Sequence, residues 1–284
     1  MAITIYQKKN FNGRSMDVTN SVRDLWEAGF NNSMSSIRMT DASDKVLLFK
    51  KKGYEGGVLF FNGVREVSSI SSLRQNGKKF FNNAISSIRL SPFQVPLRIK
   101  IICTDDGQLP GNFDTRQQLE MFLFNALKDT NIIWNNALVE FEIGFDLEYV
   151  NNSRMYDVKN EFIKFAMKSY VRSGAIQVYI VNDLNNALGI SSPVWPLCGK
   201  VAIIRFAGLT SSSSYEAVGR TIAHEFGHVC GIQHYSGHRD PYNLMNADVT
   251  DGIVGEVFSQ KQVEQVHKTL ATNLLRKGMR RGAL

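Results

Sequence analysis

The chain has 284 residues and a net charge of +7, with 43% hydrophobic and 21% charged residues, the composition of a globular protein. This length exceeds what one compact core usually needs, so we expect two domains. No stretch approaches the roughly 20 consecutive apolar residues of a membrane-spanning helix, and three cysteines are too few for a disulfide framework, which excludes a helical membrane protein and a disulfide scaffold.

The first predicted elements are the short strands of an internal repeat. The pattern aromatic-x4-aromatic-x-Gly begins at Tyr6 and again at Phe49, and nearly the same string follows each copy at residues 31–38 and 82–89. Short apolar runs separated by Gly and Asn are typical of strands and turns. Residues 1–92 are therefore predicted to form an all-β domain of two four-stranded units.

This repeat resembles the βγ-crystallin domain, a pair of Greek keys, and in particular its calcium-binding microbial members. Both copies carry the hairpin signature of the family, and both carry its calcium string, Asn/Asp-Asn/Asp-x-x-Ser/Thr-Ser. The resemblance implies a double Greek-key fold and calcium ligands among the residues of the two strings: Asn31, Asn32, Ser33, Ser35, Asn82, Asn83, Ala84 and Ser86.

Within these strings the resemblance assigns calcium to the hydroxyls of Ser35 and Ser86 and to the carbonyls of Ser33 and Ala84. Hydroxyl and carbonyl oxygens in a bent loop suit a cation that prefers six to eight oxygen ligands. Both strings carry neutral Asn where a tighter site often has Asp, so we expect weak sites or one occupied site. The alternative is that Asn and Ser only shape the turns.

The positive charge is concentrated in this first domain. Residues 1–95 contain 14 Lys and Arg against 7 Asp and Glu, whereas the remainder contains 19 of each. The densest points are 50–52 and 78–79. Such a face suits an anionic partner, such as nucleic acid or a membrane surface, and the alternative is a solvated face that keeps the domain soluble.

A short junction with two prolines, at residues 91–96, precedes a region in which strands and helices alternate. Predicted strands cover 97–102, 138–143, 176–181 and 200–206. Predicted helices cover 115–129 and 157–172, a long helix begins near residue 215, and a final helix runs from 259 to about 275. The alternation predicts an α/β domain over residues 97–284.

The long helix carries the pattern His-Glu-x-x-His-x-x-Gly-x-x-His. His224 and His228 are four residues apart, so they lie on one helix face and can reach the same zinc ion. Gly231 lets the chain leave the helix, and the following turn returns His234 as a third ligand. Three nitrogen ligands leave one position open for water, which is the arrangement of a catalytic zinc site.

Two further residues complete the pattern. Glu225 lies next to the ligand face, where its carboxylate can take a proton from water at the metal. Met245 follows His234 by eleven residues, within Asn243-Leu244-Met245. Together these features resemble the metzincin superfamily of zinc peptidases, whose long histidine motif is followed by a methionine-containing turn.

The metzincin resemblance implies a zinc endopeptidase with Glu225 as general base, and a peptide substrate along an edge strand, for which residues 200–206 are the candidate. Several metzincin families carry Tyr where this chain has Ala247, so the subfamily stays open. Tyr235 and Tyr242 are the candidates for a hydrogen bond to the tetrahedral intermediate. For each of them the alternative is an aromatic side chain that only packs.

The substrate is expected to be a protein or peptide. The first residues lack a basic region followed by an apolar run, so no Sec signal is predicted, and a peptidase active in its own cytosol would be hazardous. We therefore expect a secreted effector or toxin exported by a non-Sec route, with a cytoplasmic location still open. The alternatives are an intracellular processing peptidase and a calcium-dependent adhesion protein with a non-catalytic zinc site.

Overall fold

The computed structural model describes residues 3–75, 78–79, 84–142, 147–158, 175–185, 187–191, 201–234, 242–246 and 257–270. The chain divides into two compact units. The first contains Met1–Pro92 and Gln260–Asn273, and the second contains Phe93–Ser259 and Leu274–Leu284. Among the residues described, no helix has the length and apolar character needed to span a membrane.

The first unit is built from antiparallel strands. Its strands are β1 (Ile3–Tyr6), β2 (Ser15–Val18), β3 (Ser36–Met39), β4 (Lys45–Lys51), β5 (Glu55–Asn62), β6 (Arg65–Val67), β7 (Arg74–Gln75), β8 (Lys78–Lys79) and β9 (Ser87–Arg89). One sheet has the order β2-β1-β3-β6, a second has the order β5-β4-β9, and β7 pairs with β8. The two copies of the repeat exchange strands, because β6 joins the sheet of the first copy and a Val22–Ile88 bridge joins the first copy to the second sheet.

The repeated sequence makes the same hydrogen bonds in both copies. The Ser36 hydroxyl accepts from the Phe11 N–H at 3.1 Å, and the Ser87 hydroxyl accepts from the Tyr54 N–H at 3.1 Å. Each hydroxyl also donates to a backbone carbonyl of the same hairpin at 2.7 Å. Phe11 and Tyr54 have positive φ, 59° and 63°, so each serine holds its hairpin in a backbone conformation that L-residues seldom adopt.

Strands β4 and β5 are apolar on both faces. Side chains on one face join the main core of the unit: Val46, Leu48, Leu59 and Phe61. Side chains on the other face are buried as well: Leu47, Phe49, Val58 and Phe60. The final helix of the described chain, Gln260–Thr269, packs against β5, and its His267 ring lies 6.5 Å from the Phe49 ring. The sequence predicted that this helix belongs to the domain at 97–284. In the structure it belongs to the compact unit of residues 1–92.

The second unit contains a mixed sheet and helices. Its strands are β10 (Phe93–Cys103), β11 (Val139–Glu142), β12 (Leu147–Asn151), β13 (Ile176–Val181), β14 (Gly189–Ser191) and β15 (Val201–Arg205). The sheet order is β11-β10-β13-β15-β14, with β12 also paired to β10. Among the described strands of this unit, every pairing is parallel except that of β14, which runs antiparallel to β15 at the edge.

Two of the expectations for this unit were wrong. The segment at 200–206 was expected at the edge of the sheet, but β15 is an inner strand because β14 pairs with its outer side. The proline junction at 91–96 already belongs to β10 from Phe93 onward, since residues 93–96 pair with β11 and bury Phe93 and Val95. The helix predicted at 157–172 lies almost wholly outside the described residues.

The helices of the second unit are α1 (Arg116–Asn135), α2 (Ser153–Tyr156) and α3 (Tyr215–Val229), and the helix Gln260–Thr269 of the first unit is α4. Helix α3 packs closely along α1. The Trp134 indole N–H donates to the Ala223 carbonyl at 3.1 Å, and the Thr130 hydroxyl lies 2.9 Å from the Gly219 carbonyl oxygen. A Cβ at Gly219 would lie 2.5 Å from the Ala126 carbonyl oxygen, so a glycine is needed for this approach.

Candidate metal centre

Local sequence determines where α3 begins and ends. The Ser214 hydroxyl accepts from the Ala217 N–H at 3.3 Å and caps the first turn. Gly231 has a φ of +83°, a conformation that glycine adopts at no steric cost. The Ile232 N–H then donates to the Gly227 carbonyl at 3.0 Å, and the chain reverses direction. This reversal returns His234 to the helix face that carries the other two histidines.

The three histidines converge on one point. The Nε2 atoms of His224 and His228 are 3.1 Å apart, those of His228 and His234 are 2.9 Å apart, and those of His224 and His234 are 3.2 Å apart. They form a group that is able to hold a metal ion. Two of the side chains are half-buried and His234 is exposed, so the group is open to solvent on one side.

Backbone carbonyls fix the orientation of two of the imidazole rings. The His224 Nδ1–H donates to the Leu244 carbonyl at 2.8 Å, and the His228 Nδ1–H donates to the Ile232 carbonyl at 2.8 Å. With Nδ1 as donor, each Nε2 lone pair points at the shared centre, which is the usual outer hydrogen bond of a metal-binding histidine. Burial lowers the pKa of both imidazoles below 6.5, and this favours the neutral form that binds metal.

This donor set fits zinc. Tetrahedral nitrogen ligands at about 2.0–2.1 Å from zinc lie about 3.3 Å from one another. The three Nε2 separations of 2.9–3.2 Å are close to that value. Neutral imidazoles are ligands that zinc accepts readily, and three of them leave a fourth position for water or substrate.

Glu225 is buried beside the histidines and is only 6% exposed. Burial raises the pKa of its carboxyl above the usual 4.5, while the nearby Ser191 hydroxyl and the imidazoles of His228 and His234 lower it. Within the described part of the chain, Glu225 Oε2 is a buried atom without a hydrogen-bond partner. A buried carboxylate oxygen without a partner is costly for the fold, so this atom is available to a bound water or substrate.

The methionine of the predicted turn lies against α3. Met245 is completely buried, and a Cβ at Gly227 would overlap its Sδ, so position 227 has room only for glycine. The Asn243 side chain accepts from the Met245 N–H at 3.0 Å and holds this turn. The same turn supplies the Leu244 carbonyl that orients His224. Gly227 therefore allows the buried methionine to pack directly against α3.

The structure describes only one of the two tyrosine candidates, Tyr242. Tyr235 lies outside the described residues, as does Ala247. The Tyr242 side chain is 62% exposed, and its backbone carbonyl accepts from the Val257 N–H at 3.0 Å. A hydrogen bond from either tyrosine to a reacting group stays a prediction.

The two calcium strings of the first unit meet in space. The Ser86 hydroxyl donates to the Asn32 side-chain oxygen at 3.3 Å, and the Asn32 N–H donates to the Ile85 carbonyl at 3.1 Å. In the first string the Ser35 hydroxyl lies 3.4 Å from the Ser33 carbonyl oxygen. Of the other predicted ligands, Asn31 and Ala84 lie in described loops, and Asn82 and Asn83 are outside the described residues.

The cationic run at 50–52 lies at the end of β4 and in the turn after it. The Lys52 ammonium, whose side chain is 79% exposed, lies 3.8 Å from the Asp24 carboxylate. The side chains at 78–79 are outside the described set. An anionic partner for this face stays a prediction.

Two residues beside Glu225 were absent from the sequence-based site. Gly189, on β14, lies against the Glu225 side chain, and Ser191 is two positions further along on the same face of the strand. Neither belongs to a motif, and β14 has only three residues. No periodicity or spacing could have related them to a helix more than 20 residues further along the chain.

Comparison with known proteins bears on the first unit. A family model described as Beta/Gamma crystallin matches residues 2–91. Similar solved structures include a beta gamma crystallin from Ciona intestinalis (23% identity, covering 32% of this chain and 100% of that chain, TM-score 0.27). They also include a betagamma-crystallin from an archaeon (26%, 31% and 95%, TM-score 0.25) and spherulin 3A from Physarum polycephalum (27%, 32% and 84%, TM-score 0.27).

The search of curated proteins gave no match to this chain. The family model covers the repeated segment, and in the structure its two copies form antiparallel sheets with matching serine-held hairpins. Residues 2–91 are therefore a beta/gamma crystallin domain.

Proposed function

We propose that the chain is a zinc-dependent endopeptidase of the metzincin type whose substrate is a protein or peptide. The observation that carries the proposal is the convergence of three Nε2 atoms, 2.9–3.2 Å apart, beside the buried carboxylate of Glu225. A structural zinc site is normally closed by four protein ligands, whereas a catalytic one keeps a position open. Three ligands and an adjacent base favour catalysis.

The metzincin assignment is supported by two further features. Gly231 ends α3 with a left-handed residue, and the turn after it carries the third histidine. Met245 lies buried against Gly227, on the helix that bears the other two ligands. Both agree with a long histidine motif followed by a methionine turn.

In the proposed reaction His224, His228 and His234 hold the zinc ion. When bound, zinc would polarise the scissile carbonyl and lower the pKa of a water molecule. Glu225 accepts the proton of the attacking water and transfers it to the leaving nitrogen. Burial raises the pKa of this carboxyl, which brings it closer to the neutral range where one group can both accept and donate a proton.

The described sheet also offers a place for an extended peptide. Strand β14 lies at the edge and pairs with β15 through one side only among the described strands. Gly189 of that strand lies against the Glu225 side chain. A peptide that adds to the free side of β14 would gain backbone hydrogen bonds close to the general base.

For the crystallin domain we propose weak calcium binding at the loops that contain Ser35 and Ser86. The support is the meeting of the two strings at Asn32 and Ser86, which gathers hydroxyl, amide and carbonyl oxygens. Oxygen ligands of this kind are those that calcium prefers.

The test is metal analysis of the purified protein together with cleavage of an unbiased peptide library. Glu225→Gln should keep one zinc ion per chain and lose turnover by at least about 100-fold, because the base is gone and the ligands stay. Glu216→Gln removes an exposed carboxylate from the same helix and should leave turnover unchanged.

Each contrary outcome has a clear meaning. A protein that binds no zinc would refute the proposed site. Near-full activity of Glu225→Gln would refute the role of Glu225, and bound zinc without cleavage by any form would favour a non-catalytic zinc site in a binding protein.

A further inference from the structure

Strand β14 presents two residues on the face that meets Glu225. Gly189 and Ser191 are two positions apart, and side chains alternate along a strand, so both lie on the same face of β14. Ile190 points to the other face and packs with the hydrophobic cluster that contains Ile102 and Tyr179. Pairing with β15, Gly189 with Ile204 and Ser191 with Ala202, fixes this register.

Position 189 has no room for a side chain, because the Glu225 side chain lies directly against it. A Cβ there would lie 2.6 Å from Cγ, 2.8 Å from Oε1 and 3.0 Å from Cδ of Glu225. The φ of Gly189 is outside the left-handed region, so the backbone conformation alone does not demand glycine. Because Glu225 is 94% buried, its side chain has little freedom to move away from an added methyl group.

Ser191 places a hydroxyl near the same carboxylate. Its side chain lies on the face of β14 that meets Glu225, and its Oγ is buried. Within the described residues, however, Ser191 Oγ and Glu225 Oε2 are both buried and neither completes a hydrogen bond. A hydrogen bond from this hydroxyl to the carboxylate would give both buried atoms the partner that each lacks.

We infer that β14 is the support that positions the Glu225 carboxylate: Gly189 provides the space for it, and Ser191 places a hydroxyl on the same side of the strand to donate to it. Ser191 is a positioning residue, because it acts through Glu225. The catalytic consequence rests on the proposed peptidase function, whereas the packing of Gly189 against Glu225 does not.

The packing is tested in metal-free protein by a double-mutant cycle of thermal unfolding. Gly189→Ala should lower the melting temperature by at least about 3 °C, because the added methyl group overpacks a buried site. In the Glu225→Ala background, which lacks Cγ and the carboxylate, the same substitution should have little effect. Equal losses in both backgrounds would refute the inference for Gly189, whether or not the protein is a peptidase.

The role of Ser191 is tested by steady-state kinetics on zinc-loaded protein and by zinc content. Ser191→Ala should lower kcat roughly 10-fold, as is usual for a residue that orients a catalytic group, with KM and zinc content unchanged. Ser191→Thr keeps the hydroxyl and should restore kcat. An unchanged kcat in Ser191→Ala, or no recovery with Thr, would refute this role, whereas zinc-loaded unmodified protein that cleaves no peptide would refute the proposed function itself.

Discussion

At the scale of residues, the candidate centre depends on two imidazoles that are kept neutral. Burial is the largest effect on the pKa of His224 and of His228, and the mutual repulsion of the three histidines adds to it. Hydrogen bonds to the carbonyls of Leu244 and Ile232 act in the opposite direction. The net result is a pKa below 6.5 for both groups, so at neutral pH they are ready to bind a metal ion.

The lowered pKa of the histidines predicts how zinc binding responds to pH. Protons compete with zinc only at a pH below the folded-state pKa, which for His224 and His228 is below 6.5. Proton competition at these two ligands should therefore leave the affinity nearly constant from about pH 8 down to about pH 6.5 and weaken it at lower pH. Competitive zinc titrations across this range measure the zinc affinity at each pH. An affinity that already falls steeply between about pH 8 and pH 7 would contradict the prediction.

At the scale of elements, the contact of α4 with β5 is the feature that local sequence does not reveal. The strand runs at 46–49 and 58–61 are continuously apolar, which is typical of strands covered on both faces. One face of these strands packs on the core of the crystallin domain, and the other face packs in part against α4. Helix α4 therefore completes the first unit although it lies near the end of the chain.

A charge in the buried face of α4 should loosen this contact. Val266 is completely buried, and Val266→Asp places a carboxylate without a partner there, which should cost more than about 2 kcal/mol of unfolding free energy. Amide hydrogen exchange of peptides from β4 and β5, measured by mass spectrometry, should accelerate. Gln265→Asp adds the same charge on the exposed face and should leave exchange unchanged. Equal exchange in both variants would show that α4 does not protect β5.

At the scale of the whole molecule, the chain combines two units with different chemistry. The first holds the crystallin repeat, whose copies exchange strands and meet at Asn32 and Ser86. The second holds the histidines and Glu225. Calcium and zinc are therefore expected to act on separate units of the chain.

Because the candidate calcium loops and the histidines belong to different units, loss of one calcium-loop hydroxyl should weaken calcium binding and leave zinc binding intact. Ser86→Ala should lower calcium affinity several-fold in isothermal titration calorimetry, because a candidate ligand is removed. Ser72→Ala changes an exposed serine of the same unit and serves as the control. If both variants bound calcium as tightly as the unmodified protein, the hydroxyl of Ser86 would not be a ligand.

Several features of this protein were determined by local sequence. The repeat predicted the crystallin domain, because each aromatic-x4-aromatic-x-Gly signature lies within a single hairpin and recurs in both copies. The four-residue spacing of His224 and His228 and the freedom of Gly231 to adopt positive φ predicted the shared ligand face of α3 and the turn after it. These signals are short-range, so the amino-acid sequence alone contains them.

Only the tertiary structure decided what lies against those elements. Which strand ends the sheet depends on pairing, so β15 became an inner strand and Gly189 and Ser191 of β14 came to face Glu225. The partner of the outer face of β5 is a helix about 200 residues away along the chain. Contacts between segments so far apart are selected by the shape and burial of the folded units, and no local periodicity encodes them.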